Sequence, residues 1–440
     1  MAGLMRSRLF LRRSTAAAGI YSSAVLGFLA TVVAAHRFST STFGLYALVI
    51  AATSFVQSVL DLTVEEALVK YGFRYVTREQ WGRLRGLFRA SLVFKLTGAV
   101  LASLVLLAIA PFADSFFHKD GLETPLMIAA LLPLAQFAEG TAGVALMLRE
   151  RYDLRGLFLL LSMGLRLTAV AIGSGHGLSA TIAGIVAAQF VATGAIAVAG
   201  TAAFRRFPRA QAERLGSERR GILGFLAQSS IATVLTSLTT TLATLVLGRV
   251  ASATQVAYFR VSLAPQQGLA TLSAPARLIL MTEQTRDWER GTRETVFAGI
   301  RRYMAAATLL SVIALPPLLV FTPQLVRILF SAKNVGAVEA TRIVLVAGAL
   351  RVIYGWTKSF PVSIGRPNLR IWTHAVETVV LVPLTAVLGA EWGATGAATA
   401  VLVSSVAFCA YWTLLYVRIR REPHVAPPQP PAQAQELVAQ

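Results

Sequence analysis

The sequence predicts an all-α integral membrane protein with about twelve transmembrane helices in two pseudo-symmetric bundles of six. The first observation is composition: 55% of the 440 residues are hydrophobic and 14% are charged, with a mean hydropathy of +0.63. A soluble domain carries about 25% charged residues, so this chain falls outside that class. The second observation is a series of apolar segments of membrane-spanning length. The third is an internal repeat that relates the two halves.

Twelve apolar segments approach the length of about 20 residues that a spanning helix needs. The fifth is short and could extend by a few residues. The first six form a predicted N-lobe (14–203) and the last six a C-lobe (222–417), joined by a basic linker (204–221). A basic N-terminus (1–13) precedes them, and a Pro/Gln-rich tail (418–440), expected to be disordered, follows. The predicted spans are 14–36, 43–69, 91–112, 124–148, 156–172, 178–203, 222–247, 255–281, 303–321, 337–360, 371–389 and 393–417.

Lysine and arginine residues are distributed unevenly between the two sides of these spans. Of the 41 in the chain, 29 lie at the termini and in the alternate loops on their side, whereas 5 lie in the opposite loops. Because cytoplasmic loops carry the excess of positive charge, both termini are predicted to be cytoplasmic. A cleaved signal peptide over residues 1–36 is the alternative for the first span, but its apolar run is longer than a usual signal sequence.

The internal repeat crosses from the end of an odd-numbered span into the next span in both halves. RFSTSTFGLYAL (37–48) and RVASATQVAYFR (249–260) share Arg, Thr and Tyr at positions 212 residues apart. These identities coincide with six predicted spans on each side of the offset. Equal span counts predict two halves with the same membrane orientation, related by an axis along the membrane normal.

The segment FGLYALVIAATSFVQSVLDLTVEEALVKYGFRY (43–75) resembles the second span of bacterial polysaccharide-export flippases. In that family an FGLY-type turn leads to a DLG..A..RY-like end. Residues 273–372 agree over a longer reach: a charged cytoplasmic helix, a span, an LFS-type outer loop, a span and a GRP turn follow in the family's order. The chain departs from the pattern at Thr63, where relatives have Gly, and in its acidic Glu65–Glu66 pair.

By this resemblance the chain is similar to the O-antigen-type, lipid-linked oligosaccharide flippases of the multidrug/oligosaccharidyl-lipid/polysaccharide exporter superfamily. The resemblance implies a MATE-like, V-shaped pair of six-helix bundles around a central cavity. It also implies export of an undecaprenyl-diphosphate-linked oligosaccharide across the bacterial cytoplasmic (inner) membrane by alternating access. Expected partners are membrane lipids, H⁺ or Na⁺, and the polymerase and glycosyltransferases of a surface or extracellular polysaccharide pathway. A multidrug exporter of the same superfamily is the alternative.

Charged residues inside the spans are the candidate functional residues, because charge at the bilayer centre costs about 2.5–3.5 kcal/mol on insertion scales. Glu139 in span four and Arg166 in span five lie at similar depth on either side of a turn near Tyr152. The sequence therefore predicts an ion pair between them. One interpretation is that the pair only locks two helices together. The other is a protonatable Glu139 that releases its arginine when the proton arrives.

The second group of candidates lies in spans ten and eleven. Arg351 and Lys358 are seven residues apart, hence on one helical face, and Glu377 mirrors Lys358 across the GRPNLR turn. A cationic face lining a cavity would attract a diphosphate, which arginine can bind bidentately. Snorkelling to the interface is the alternative for Lys358.

Further polar residues lie nearer to the ends of the spans. Lys95, Arg260 and Arg277 are expected to snorkel to the interface, and Arg260 and Arg277 are also weaker candidates to line the cavity. Asp61 and Gln57 are predicted to line the inward mouth, with the two glutamates that follow them in the headgroup region. The candidate substrate-binding residues are thus Arg166, Arg260, Arg277, Arg351 and Lys358, and the candidate coupling residues are Asp61, Glu139 and Glu377.

The sequence contains no motif of ATP-driven or enzymatic chemistry. No lysine follows a glycine, so a P-loop is absent, and there is no HExxH, metal-spaced histidine pair or GxSxG. The single cysteine, Cys409, excludes a disulfide framework. The net charge of +20 is spread over short loops, which argues against nucleic-acid binding. We therefore expect a carrier without a cofactor or enzymatic activity, and the basic balance of the deep residues favours a flippase over a multidrug exporter.

Overall fold

The computed structural model of the chain describes residues 2–60, 64–213, 215–216, 218–272, 284, 287–288, 292–366 and 368–422. Within these ranges the chain is helical and contains no β-strand, as expected where backbone groups must be satisfied without water. The helices are α1 (Ala2–Arg37), α2 (Thr40–Leu60), α3 (Val64–Thr77), α4 (Trp81–Ile109), α5 (Ala113–Phe117), α6 (Glu123–Ala129), α7 (Leu132–Gln136), α8 (Glu139–Leu148), α9 (Tyr152–Gly173), α10 (Leu178–Arg205), α11 (Glu218–Val250), α12 (Ala253–Leu272), α13 (Arg293–Val320), α14 (Thr322–Phe330), α15 (Val338–Ile353), α16 (Phe360–Ser363) and α17 (Asn368–Arg421).

Each predicted span coincides with helical structure in the described ranges, and eight stretches are long and apolar enough to cross a membrane by themselves. The 54-residue element α17 contains both of the last two spans. Gly393 adopts φ 57° and ψ −129° in its middle, a conformation that favours glycine. The chain folds back there, because a Cβ on Gly396 would lie 1.9 Å from the carbonyl oxygen of Leu388.

Spans four and ten are broken, although the sequence predicts continuous helices there. Span four consists of α6, α7 and α8, and Pro133 lies in the first turn of α7. In span ten, α15 ends at Ile353 and is followed by a 3₁₀ turn (Gly355–Lys358) and the short α16. Broken helices matter in a membrane because their ends present free N–H and C=O groups next to polar sites.

The apolar core shows how the two lobes are related. At the end of the molecule opposite the basic loops, one cluster joins both lobes and includes Phe43 of α2 and Phe259 of α12. At the basic end the described residues form separate clusters, one around Leu84 with the first turns of α11, the other around Trp356 and Trp412. At the basic end α11 of the C-lobe also packs against the N-lobe, but the larger cluster shared by the two lobes lies at the opposite end, which we call the joined end.

At the joined end, α2 and α12 begin in direct backbone contact. A Cβ on Gly44 would lie 1.8 Å from the carbonyl oxygen of Ala253. Only glycine permits this approach, which gives the FGLY segment of the repeat a packing role. The second helix of each lobe thus meets its counterpart near the pseudo-symmetry axis.

Two lysines, here called the lysine latches, connect the lobes at the same end. Lys333 of the C-lobe donates to the carbonyl oxygens of His36, at 2.6 Å, and Phe38, at the end of α1. Lys119 of the N-lobe donates to the carbonyl oxygen of Gly248, near the end of α11. His36 and Gly248 are 212 residues apart, which is the repeat offset. Each lysine therefore binds the C-terminal end of the other lobe's first helix, where free carbonyls carry partial negative charge.

Candidate functional site

Polar side chains between the apolar helices form three groups. The N-lobe cluster contains Glu139, Gln189, Thr193, Glu65, Lys95 and Arg155. The interlobe arginine pair consists of Arg166 and Arg260, with Tyr46 beside them. The C-lobe cluster contains Arg351, Glu377, His374, Ser405 and Phe408.

Glu139 is the first residue of α8, directly after the break in span four. Its Oε2 accepts a hydrogen bond of 2.7 Å from Nε2 of Gln189 in α10, and the same amide nitrogen lies 3.0 Å from Oγ1 of Thr193. The N-terminus of a helix favours a negative charge. The carboxylate thus accepts its hydrogen bond from a neutral amide at the start of a helix and has no direct ion pair in the described part of the chain.

A second carboxylate lies beside this helix start. Oε1 of Glu65 is 2.8 Å from Nζ of Lys95, whose side chain is 7% exposed. A Cβ on Gly140 would lie 1.9 Å from the same Glu65 oxygen, so Gly140 leaves the space in which the carboxylate rests against α8. The prediction that Lys95 snorkels to the interface is therefore wrong, because its ammonium group is buried in an ion pair.

Arg155, near the start of α9, completes the N-lobe cluster. It interacts electrostatically with both Glu65 and Glu139. Its Nη1 atom is buried without a hydrogen-bond partner in the part of the chain that the structure describes, and a Cβ on Gly143 would lie 2.3 Å from it. The arginine of α9 that faces Glu139 is thus Arg155.

The predicted ion pair between Glu139 and Arg166 is wrong. Arg166 lies three turns further along α9 and interacts electrostatically with Arg260 of α12 in the other lobe. Residue counting fixes the depth of a side chain but not the direction in which it reaches its partner. Within the described ranges neither arginine of the pair forms an ion pair, and both are half-buried.

The interlobe arginine pair lies near the joined end. Arg260 is two turns inside α12, and Tyr46, which also interacts electrostatically with Arg260, is at a similar depth in α2. Like charges repel, so two guanidinium groups that interact between the lobes are most stable with an anion between them. One group comes from each lobe, and such an anion would contact both.

The C-lobe cluster is closed by internal partners. Glu377, whose side chain is 4% exposed, accepts a hydrogen bond from Nη2 of Arg351 and lies 3.0 Å from Nδ1 of His374. Nε of Arg351 donates to Oγ of Ser405 at 3.3 Å, and its guanidinium carbon lies 4.1 Å from the ring centroid of Phe408. Both carboxylate oxygens of Glu377 thus have a partner inside the cluster.

The sequence placed Glu377 opposite Lys358, whereas its partners are Arg351 and His374. The reason is the break in span ten, because Lys358 is exposed at the end of a 3₁₀ turn rather than inside an α-helix. Arg351 and Lys358, seven residues apart, therefore do not share one helical face. Lys358 still interacts electrostatically with His374. Asp61 and Arg277 lie outside the described residues.

Gln57 and Gln189 are uncharged polar residues inside predicted spans, and the sequence predicted a role for the first of them but not for the second. Gln57, predicted at the inward mouth, donates from Nε2 to Oε1 of Gln136 at 3.0 Å, between α2 and α7. Gln189 carries no charge and is not among the predicted residues, although it is the most polar residue in an otherwise apolar predicted span (178–203). A lone amide in such a span is a detectable signal for a buried polar partner.

Comparisons with solved structures identify the fold. An inward-facing MATE family multidrug transporter of the MOP superfamily matches with 14% identity, covering 91% of this chain and 96% of that chain, at a TM-score of 0.71. The lipid II flippase MurJ in an inward closed conformation matches with 11% identity, covering 92% and 87%, at 0.69. A MOP superfamily transporter from Pyrococcus furiosus, described by the reverse polarity of its binding pocket, matches with 15% identity, covering 94% and 95%, at 0.62. These likenesses confirm the predicted all-α, two-lobed membrane fold.

Sequence comparison identifies the family. No curated protein matches the chain. The family described as polysaccharide biosynthesis protein matches residues 33–339, which covers most of both lobes. The resemblance inferred from the FGLY segment and the order of later motifs is thereby confirmed. The chain belongs to the polysaccharide biosynthesis protein family and has the fold of the MOP superfamily.

Proposed function

We propose that the chain is a flippase that moves an undecaprenyl-diphosphate-linked oligosaccharide across the bacterial cytoplasmic membrane by alternating access, with both termini cytoplasmic. It would act as a carrier without enzymatic activity, between the glycosyltransferases and the polymerase of a surface or extracellular polysaccharide pathway. The family and the MOP-type fold support a lipid-linked glycan as the substrate class.

The observation that carries this proposal is the interlobe arginine pair. Arg166 and Arg260 come from opposite lobes, and their like charges interact unfavourably. A diphosphate supplies two adjacent anionic groups, and guanidinium groups bind phosphate bidentately. An anion held by one arginine from each lobe would draw the lobes together, so substrate binding and conformational change would be linked.

Glu139 is the proposed coupling residue. Because its hydrogen-bond donor is the neutral Gln189, a proton can be added to the carboxylate without breaking a direct ion pair. Arg155 is close enough to sense the change in charge. The lysine latches would hold the joined end closed while the other end accepts substrate.

The test is a flipping assay in liposomes that contain the purified full chain and a fluorescent undecaprenyl-diphosphate oligosaccharide. We expect the unaltered chain to accelerate flipping and the double variant Arg166→Gln, Arg260→Gln to lower the rate at least roughly 10- to 100-fold, the effect of losing one charged hydrogen bond of about 1.5–3 kcal/mol. The matched control Arg166→Lys, Arg260→Lys keeps the charge and should retain part of the rate. Equal rates in all three proteins would contradict the proposal.

Multidrug export is the second candidate, favoured by the two carboxylates of the N-lobe cluster, Glu65 and Glu139, which would suit an organic cation. In the same liposomes, uptake of ethidium without flipping of the glycolipid would establish this alternative. Flipping without ethidium uptake would exclude it.

A further inference from the structure

Helix α4 stands between two apolar grooves on the surface of the N-lobe. The larger groove, of about 950 Å³, lies between α4 and the first turns of α11. The smaller groove, of about 500 Å³, lies on the other side of α4, against α8 and α10. Arg89 and Val93, one turn apart on α4, line both grooves and form the ridge between them.

The walls of both grooves suit hydrocarbon chains. Leu60, Phe94 and Leu101 line the larger groove, and Leu92 and Ala197 the smaller one. Leu92, Phe94 and Leu101 are exposed although they are large and apolar, and they lie on a helix apolar enough to span a membrane. Lipid chains are the medium that covers such a surface.

Positive charge is concentrated where the grooves meet. Arg89 is exposed and has no hydrogen bond or ion pair within the described ranges. Arg85, on the edge of the smaller groove, is fixed by the carbonyl oxygen of Pro208 at 3.1 Å, while Arg219 is exposed on the edge of the larger one. The carboxylate among the lining residues, Glu213, lies 3.9 Å from Arg83.

We propose that this ridge is a binding site for one anionic diacyl phospholipid. Its phosphate would bind Arg89, and its two acyl chains would occupy the grooves on either side of Val93. Two grooves that diverge from one arginine match a headgroup with two chains, whereas a polyprenyl diphosphate has one chain. Because α4 belongs to the N-lobe and α11 to the C-lobe, the chain in the larger groove would contact both lobes. The proposal does not depend on the transported substrate.

Native mass spectrometry of the full chain, released from detergent with equal amounts of phosphatidylglycerol and phosphatidylcholine of identical chains, tests the proposal. We expect one phosphatidylglycerol to be retained in preference to phosphatidylcholine. Arg89→Ala should reduce that preference about fivefold, the effect of removing one basic contact near the membrane surface. Arg301→Ala is the matched control: it is exposed, lies 212 residues further on in α13, and lines neither groove. Equal losses in both variants would overturn the proposal.

The number of chains is tested in the same experiment. Lysophosphatidylglycerol, with one acyl chain, should be retained less than phosphatidylglycerol, and Thr97→Trp, which narrows the larger groove without changing charge, should lower retention of the diacyl lipid. Equal retention of the one-chain and two-chain lipids would contradict the two-groove arrangement. Displacement of phosphatidylglycerol by undecaprenyl phosphate would assign the grooves to a polyprenyl chain and overturn the proposal.

Discussion

Corresponding spans of the two lobes carry the same two charges in opposite order. In the N-lobe, Glu139 lies in span four and Arg166 in span five; in the C-lobe, Arg351 lies in span ten and Glu377 in span eleven. The C-lobe residues form a direct pair. The N-lobe residues turn away from each other, the carboxylate to Gln189 and the arginine to the opposite lobe.

We interpret this difference as two separate roles, a structural one for the C-lobe pair and a transport role for the N-lobe residues. A buried pair whose remaining polar atoms are satisfied resists separation, because breaking it leaves an uncompensated charge in an apolar environment. The closed pair of the C-lobe therefore holds spans ten and eleven together. In our proposal, the open arrangement of the N-lobe allows Glu139 to change its protonation and Arg166 to bind an anion.

The largest effect is expected from opening the C-lobe pair. Glu377→Gln leaves the half-buried Arg351 without its counter-charge and should destabilise the protein by about 3–5 kcal/mol. Thermal unfolding in detergent measures the loss. The double variant Arg351→Met, Glu377→Leu removes both charges and should recover most of it. A stability equal to that of the unaltered chain in Glu377→Gln would show that the pair does not hold the lobe together.

A change at Glu139, the N-lobe carboxylate, should have little effect on stability and a clear effect on transport. Glu139→Gln keeps an acceptor for Gln189 and should change the stability by less than about 1 kcal/mol. Transport driven by a proton or sodium gradient should nevertheless fall at least about fivefold, the lower range of a typical coupling free energy. Gradient-driven flipping in liposomes measures this. Full retention of the gradient effect would remove Glu139 from the coupling mechanism.

Replacing either of the lysine latches, one from each lobe, should have a smaller effect, a shift in the conformational population. Lys119→Gln and Lys333→Gln each remove an ammonium group from the carbonyl end of the opposite lobe's first helix. A contact of this kind is worth about 1 kcal/mol, so each change should shift the population toward an open joined end about fivefold. Spin-label distances between α1 and α14 report this opening. Arg327→Gln, an exposed cation at the same end, is the control and should leave the distances unchanged.

The smallest effect is expected at an exposed pair of the C-lobe, Arg366 and Glu422, 2.8 Å apart. The hydrogen bond from Arg366 lowers the pKa of Glu422, so the pair is intact at neutral pH and is lost as the pH falls below the ordinary carboxyl range. Arg366→Gln should cost less than about 1 kcal/mol at pH 7 and remove this small acid dependence of thermal unfolding. A loss as large as that of Glu377→Gln would show that burial is not what distinguishes the two pairs.

The sequence predicted the fold better than the partners within it. Span positions and the repeat follow from hydrophobic length and from the identities at Arg37 and Arg249, which are properties of the chain itself. Depth was also readable, since Glu139, Arg166 and Arg351 do lie between apolar helices. The direction in which a side chain points around its helix, and the breaks in spans four and ten, could not be predicted from the sequence. These two features decide which polar residues contact one another. Small residues such as Gly140 allow side chains and helices to approach closely, but neither charge nor helical periodicity identifies these residues in the sequence.

Direct binding of undecaprenyl diphosphate by the purified full chain tests the central claim, that one arginine from each lobe holds the diphosphate. Titration with undecaprenyl diphosphate and undecaprenyl phosphate should show a preference for the diphosphate. Arg166→Gln with Arg260→Gln should remove that preference, while Glu139→Gln should preserve it. An undiminished preference for the diphosphate in the double arginine variant would contradict the account.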